Sequence, residues 1–393
     1  MVDAAVKKTF PFYLIVIYLS FYAAQSVYGT YLSLYFDSVG FTKTQIGLFT
    51  SVSTLAVLLT QPFWGFASDR AKNSTSVLSL LFLVCGALIL GFYLTRHIAF
   101  IFFLVSAFYV CFSPIQPLMD SLSLETIEEG RSKLDFGQIR LAGTLGFAAS
   151  ALIAGRLMDV SYQRMFFMVC LLLLMGFAAL RFAPSSAGRS IGARRQFREL
   201  LRDKKIVCFI FISLIFSIGG MTFQGYYALY FQSIGASSLQ IGAMVFAATI
   251  SEIPFWFIAG KMIDRFGYER MLPLSACISG LRWLLLSFFT HPLLVIGINL
   301  AQGFTYVTLN YSIVTYIDKN IPRELRATGQ TMNNLVGMIV SRVIGGVAIG
   351  YLCDRFGVPR MLLASSAVVF AGTLVFVIWV KLYSKETTVK TEN

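Results

Sequence analysis

Five ionisable side chains lie within or at the mouths of the long apolar runs of this 393-residue chain. They are Asp120, Arg140, Glu252, Arg282 and Arg342. Charged groups at membrane depth are costly to bury, so these residues are candidates for holding a polar solute or carrying a proton. The alternative is a structural network of ion pairs that touches no solute.

Asp120 and Arg140 are expected to meet across adjacent antiparallel helices. Together they would offer a planar, bidentate site to the hydroxyls or the carboxylate of a solute. Phe147 follows Arg140 by two helical turns on the same face, where its ring would stack on the solute or simply pack. If protons are coupled, Glu252 is the expected carrier, with Arg282 nearby, and Asp120 is the second candidate.

Neutral polar residues in the apolar runs are expected to complete a solute cavity, or else to bond neighbouring helices. These candidates are Gln25, Tyr28, Tyr227, Asn299 and Gln302. Six cysteines lie in or at the edge of apolar runs and only two histidines exist, so no metal site or disulfide frame is predicted. No Walker A sequence occurs, so nothing indicates ATP as the energy source.

The elements that position these residues are predicted to be membrane helices. The chain is 57% hydrophobic and only 13% charged, whereas a soluble domain averages about a quarter charged residues. The apolar runs are continuous rather than alternating, and backbone groups inside lipid then require helices. Twelve spans are predicted, at 10–36, 44–66, 75–94, 98–119, 138–158, 162–183, 206–232, 239–262, 270–290, 292–317, 327–352 and 359–383.

The distribution of basic residues predicts the orientation of these spans. With the N-terminus in the cytoplasm, 24 of the 32 Lys and Arg residues fall on the cytoplasmic side, which places both termini there. Eight of the 24 lie in 181–205, where nucleic-acid binding is the alternative to a cytoplasmic linker near anionic lipid. We favour the linker and expect no nucleic-acid partner.

Two short patterns recur along the chain and indicate an internal repeat. Gln45-Ile46-Gly47 recurs 195 residues later as Gln240-Ile241-Gly242, and Gly29 and Tyr31 recur as Gly225 and Tyr227. This repeat predicts two pseudo-symmetric six-helix bundles, at 1–183 and 206–393, joined by a basic linker at 184–205.

A Gly-x-x-x-Asp pattern closes four of the predicted spans. Its copies are Gly65/Asp69, Gly155/Asp159, Gly260/Asp264 and Gly350/Asp354. The glycine lets another helix approach closely, and the aspartate can face the positive N-terminal end of a neighbouring helix. Four copies on a regular grid favour a gating role over ordinary loop turns. In the predicted topology the second and fourth copies face outward.

The copies at Gly65-Asp69-Arg70 and Gly260-Asp264-Arg265 resemble the signature between helices 2–3 and 8–9 of the major facilitator superfamily. This resemblance covers essentially the whole chain. It implies an all-α membrane protein of twelve helices that alternates access to a solute site between its halves, and it assigns these two copies to gating.

The stretch from Phe136 to Phe147 resembles the start of helix five in the lactose permease, phenylpropionate and nucleoside proton symporter group. In that group an arginine matching Arg140 and an acid matching Asp120 hold substrate. Glu252 resembles the acid of helix eight and Arg282 the arginine of helix nine. The positions that carry the proton-site Lys, His and Glu of lactose permease read Asn299, Gln302 and Thr305 here, so that proton site does not transfer.

The sequence therefore predicts a monomeric secondary carrier in a plasma membrane, namely the cytoplasmic membrane of a bacterium. Its expected partners are a small polar solute, protons and lipid. An aromatic carboxylate, a sugar or a nucleoside fits the solute site, and the proton gradient is the expected energy source, with no cofactor. The alternatives are an exporter of drugs or metabolites and a membrane sensor that does not transport.

Overall fold

A computed structural model describes residues 10–70, 74–95, 97–183, 204–320, 333 and 341–389. Within these ranges the chain forms α-helices joined by short connections, and no β-strand occurs there. The first seven helices are α1 (Phe12–Ser38), α2 (Lys43–Arg70), α3 (Ser74–Leu94), α4 (Ile98–Phe112), α5 (Ile115–Glu128), α6 (Phe136–Met158) and α7 (Arg164–Leu180). The others are α8 (Lys204–Ser233), α9 (Ser238–Phe266), α10 (Tyr268–Phe288), α11 (Pro292–Asn299), α12 (Gln302–Asn320), α13 (Ser341–Phe356) and α14 (Val358–Val389).

Eight helical segments in the described ranges are long and apolar enough to cross a membrane. The apolar runs form helices because an intrahelical bond pairs each backbone group that lipid cannot solvate. The all-helical class is thus confirmed, whereas the count of twelve spans and the orientation stay predictions. The predicted linker at 184–205 lies almost entirely outside the described residues.

Two of the predicted spans are interrupted where the sequence suggested continuous helices. The fourth span divides into α4 and α5 next to Pro114, which cannot donate a backbone bond. Its predicted end at 119 is also too early, because α5 continues to Glu128 and carries Asp120 within the helix. The tenth span divides into α11 and α12 after Asn299.

The chain forms two compact units, and both take part of a helix from elsewhere in the sequence. The first unit comprises 1–41, 52–191 and 236–246, and the second comprises 42–51, 192–235 and 247–393. In the first unit α1 packs against α6 and α7, and α3 packs against α7. In the second unit α14 packs against α10 and α8, and α10 packs against α12.

The start of α6 is fixed by a capping box. The Asp135 carboxylate accepts the Gln138 backbone N–H at 2.8 Å, and the Gln138 side chain accepts the Asp135 N–H at 3.1 Å. Such reciprocal bonds satisfy backbone donors that have no partner inside the helix. This cap therefore fixes where the helix that carries Arg140 begins.

Candidate functional site

In the first unit, two tyrosines of α1 organise the predicted acid and base. The Tyr18 hydroxyl donates to Asp120 Oδ1 at 2.6 Å. One helical turn on, the Arg140 guanidinium lies 3.9 Å from the centre of the Tyr22 ring. Both tyrosines are buried, while Asp120 and Arg140 are half-buried. The structure thus places the acid and the base along the same face of α1.

The predicted pairing of Asp120 with Arg140 takes an indirect form. The two side chains interact electrostatically, but each has its own tyrosine partner, and the Ser123 hydroxyl donates to Tyr18 Oη at 3.2 Å. A guanidinium on an aromatic face keeps donor N–H groups available at its edge, and a carboxylate with one donor keeps further acceptor sites. The cluster can therefore offer donors and acceptors to a solute simultaneously.

Sequence reasoning missed Tyr18 and Tyr22. The signal was present, because Tyr18, Tyr22 and Gln25 follow one another at helical spacing on one face of α1. Gln25 is half-buried. Tyr28 has a different environment, since its ring packs 4.7 Å from the ring of Phe108 and 5.4 Å from that of Tyr109. Its predicted solute contact stays a prediction.

Phe147 is half-buried on α6, two turns beyond Arg140. The space between α6 and α1 is tight at this level, because added Cβ atoms at Gly143 and Gly146 would meet the Tyr22 ring and the Leu19 backbone. Close approach of the two helices is what brings Arg140 onto the ring of Tyr22.

The second unit contains a polar cluster around Arg282. This side chain is 5% exposed, and its Nη1 donates to Gln302 Oε1 at 2.9 Å. A longer bond of 3.5 Å runs from Nη1 to Thr305 Oγ1. Glu252, half-buried on α9, interacts electrostatically with the same guanidinium. Gln302 and Thr305, which cannot carry a proton, thus bind the buried Arg282 guanidinium close to Glu252.

Backbone contact between α9 and α12 brings Glu252 to this cluster. The Gly303 N–H donates to Ser251 Oγ at 3.0 Å, and an added Cβ at Gly303 would collide with the Ser251 carbonyl. Since Ser251 precedes Glu252 and Gly303 follows Gln302, this crossing sets the spacing of acid, amide and cation.

We expect Gly303→Ala to destabilise the protein by about 1–3 kcal/mol, the usual cost of overpacking a filled site. The matched control is Gly297→Ala on the neighbouring α11, where an added Cβ meets nothing within 4 Å. Thermal unfolding of the two purified variants measures the difference. Equal melting temperatures would contradict the backbone contact.

The other candidate residues in the second unit have their own surroundings. Asn299 is fully buried and donates to the Val295 carbonyl at 2.9 Å, while its Oδ1 has no hydrogen-bond partner. Tyr227 is half-buried on α8. Arg342 is half-buried on α13, and its carbonyl accepts from the Ser51 hydroxyl at 3.1 Å. Their solute and proton roles stay predictions.

The copies of the Gly-x-x-x-Asp pattern differ in environment. Asp264 and Arg265 are exposed at the end of α9, next to half-buried Gly260. The copy formed by Gly65, Asp69 and Arg70 falls in the last turns of α2, whose side chains lie outside the described part of the chain. In the two remaining copies, Asp159 and Asp354 accept backbone N–H groups at the starts of α9 and α2. This is the predicted arrangement of an aspartate at a helix N-terminus.

Comparison with known proteins places this chain in a family. The family model described as "MFS_1 like family" matches residues 12–364. The chain is 27% identical over 382 residues to the maltose permease of Geobacillus stearothermophilus, covering 96% of this chain and 95% of the permease. It is 22% identical to a probable 3-phenylpropionic acid transporter of Escherichia coli (strain K12), covering 86% of this chain and 90% of the relative. The crystal structure of nucleoside transporter NupG has the same fold, with a TM-score of 0.83 at 15% identity, covering 94% of this chain and 98% of that one.

Proposed function

Because the chain belongs to the MFS_1 like family, it is a multi-pass membrane transporter, and we propose that it moves a small polar organic solute by alternating access, in symport with a proton. The proposed setting is a bacterial cytoplasmic membrane with both chain termini in the cytoplasm. The proposed working unit is a monomer, and the proton gradient is the proposed energy source.

The acid and base clusters carry this proposal. Asp120 and Arg140, each in contact with a buried tyrosine of α1, present acceptors and donors side by side. Sugars, nucleosides and aromatic carboxylates all combine oxygen groups with a ring, which suits such a set. The relatives support the same range of solutes, because their names refer to maltose, 3-phenylpropionic acid and nucleosides.

Glu252 is the proposed proton carrier. Its carboxyl group interacts electrostatically with Arg282, which also donates to the neutral side chains of Gln302 and Thr305. When Glu252 is charged, Arg282 balances it. When Glu252 is protonated, the amide of Gln302 still holds the guanidinium. The cluster can therefore exist in both protonation states without leaving the cation unbonded.

Uptake into proteoliposomes tests the proposal. Radiolabelled maltose, uridine and 3-phenylpropionate are supplied separately, with and without an inwardly directed proton gradient. We expect accumulation of one of them above equilibrium only with the gradient. Uptake that only reaches the external concentration would overturn proton symport. Before the uptake assay, a thermal-shift screen of the three solute classes identifies which one stabilises the protein.

A further inference from the structure

The hydroxyls of Tyr31 and Tyr226 each bind two main-chain carbonyls where helices cross. In the first unit, Tyr31 Oη donates to the carbonyls of Ala151 and Ser238, both at 3.1 Å. In the second unit, Tyr226 Oη donates to the carbonyls of Gly346 and Lys43, at 3.0 and 3.3 Å. Every member of one set maps onto the other with the repeat offset of 195 residues. One phenolic hydrogen is thus shared between two helices in each unit.

The structural counterpart of Tyr31 is therefore Tyr226, which corrects the sequence match of Tyr31 with Tyr227. That match relied on the identical residues Gly29 and Gly225, whose separation in the sequence is one residue longer than the offset that relates the hydrogen-bonded residues. One residue rotates a side chain by about 100° around a helix. Tyr227 consequently faces a different direction from Tyr226.

Glycines surround both hydroxyls and obey the same offset. An added Cβ would lie 3.1 Å or less from the Tyr31 or Tyr226 hydroxyl at Gly155, Gly242, Gly350 and Gly47. In a helix each accepted carbonyl bonds the N–H four residues on, and those residues are these four glycines. The helices therefore cross backbone to backbone, and the tyrosine bonds are additional to those that the carbonyls already accept.

An aspartate binds the same helix start from its other side. Asp159 Oδ1 accepts the Ser238 N–H at 2.8 Å. Asp354 accepts the N–H groups of Lys43 and Thr44 at 2.9 and 2.8 Å. Partial burial by itself raises the pKa of Asp354. The two backbone bonds and the bond from the Thr44 hydroxyl outweigh this effect, so the pKa of Asp354 lies below its ordinary value. The aspartate thus remains a charged acceptor at the helix N-terminus at neutral pH.

The clamps, defined as Tyr31 with Asp159 and Tyr226 with Asp354, hold the starts of two helices that each belong to both units. Residues 236–246 at the start of α9 lie in the first unit, whereas the rest of α9 lies in the second. Residues 42–51 at the start of α2 lie in the second unit, whereas the rest of α2 lies in the first. In the predicted topology both clamps face outward.

We propose that Tyr31 and Tyr226 are a matched pair of gating residues, which must release α9 and α2 together before the outward side opens. This proposal rests on the alternating access proposed above. A neutral hydrogen bond changes an equilibrium by about fivefold, so two change it by roughly twentyfold. That factor biases the carrier toward outward closure without locking it.

Amide hydrogen exchange in lipid nanodiscs tests the pair with Tyr31→Phe, Tyr226→Phe and the double variant. Phenylalanine keeps the ring and leaves no carbonyl unpaired, because each carbonyl retains its intrahelical bond. Matched controls lie one turn further along the same helices, at the repeat-related residues Tyr35 and Tyr230. Tyr35 donates to the Phe92 carbonyl at 3.4 Å and Tyr230 to the Phe289 carbonyl at 2.9 Å.

We expect either single variant to speed exchange about fivefold in both segments, 42–51 and 236–246, and the double variant to speed it roughly twentyfold. Tyr35→Phe and Tyr230→Phe are expected to leave both segments unchanged. A response confined to the segment beside the mutation, one no larger than in the controls, or a loss of protection throughout the chain would overturn the proposal.

This measurement needs no solute, so it is separate from the test of transport. If uptake fails for every solute while both segments still respond to either tyrosine, the gating pair stands and the proposed solute range falls. If uptake succeeds while neither segment responds, the gating pair falls alone.

Discussion

Glu252→Gln is expected to abolish solute accumulation driven by a proton gradient while solute exchange continues. The amide has the size of the carboxyl group but cannot take up or release a proton. Arg282 keeps its bonds to Gln302 and Thr305, so the cluster should stay folded. We expect the internal solute concentration in proteoliposomes to reach only the external concentration. Counterflow of labelled against unlabelled solute should remain within about threefold of the wild type, because a change of under 1 kcal/mol leaves the exchange step largely intact.

The control is Glu129→Gln, because Glu129 pairs with Arg131 at 3.0 Å where both side chains are more than 40% exposed. Losing that surface pair should leave accumulation unchanged. Gradient-driven accumulation by Glu252→Gln would contradict its role as proton carrier. Asp120→Asn then becomes decisive, since Asp120 is the second candidate, and loss of accumulation with counterflow retained in that variant would move the proton to the first unit.

Arg140→Lys is expected to lower the initial rate of uptake by about tenfold to a hundredfold, which corresponds to losing a charge-assisted hydrogen bond of about 1.5–3 kcal/mol. Lysine keeps the charge but loses both the planar fork and the stacking of the guanidinium on Tyr22. Uptake of the solute identified by thermal shift, measured at several concentrations, gives the change.

Arg131→Lys is the matched conservative control, because its side chain lies just before α6 and pairs with Glu129 where both side chains are more than 40% exposed. Tyr22→Phe adds a second comparison, since the ring that carries the guanidinium is retained. We expect near-normal uptake in Tyr22→Phe and a substantial loss in Tyr22→Leu. Wild-type uptake by Arg140→Lys would refute a bidentate role for Arg140.

The sequence alone determined the fold class and the repeat. Long apolar runs with few charges dictate helices, because lipid offers no hydrogen bonds to the backbone. The offset of 195 residues is a covalent property of the chain, so it can be read without coordinates. It also predicted that aspartates would meet helix starts, which the structure has at Asp159 and Asp354. The resemblance to lactose permease identified Asn299, Gln302 and Thr305 as positions without a proton carrier, and the structure then placed Gln302 and Thr305 beside Arg282.

Tertiary structure decided which side chains meet. The sequence did not reveal that Tyr18 would donate to Asp120 or that Arg140 would lie on the ring of Tyr22. It also did not reveal that the counterpart of Tyr31 would be Tyr226 rather than Tyr227. The physical reason is the helix itself. One residue turns a side chain by about 100°, and the facing partner depends on how closely two backbones approach. That approach is set by glycines distant in sequence, whose effect appears only when the helices are packed.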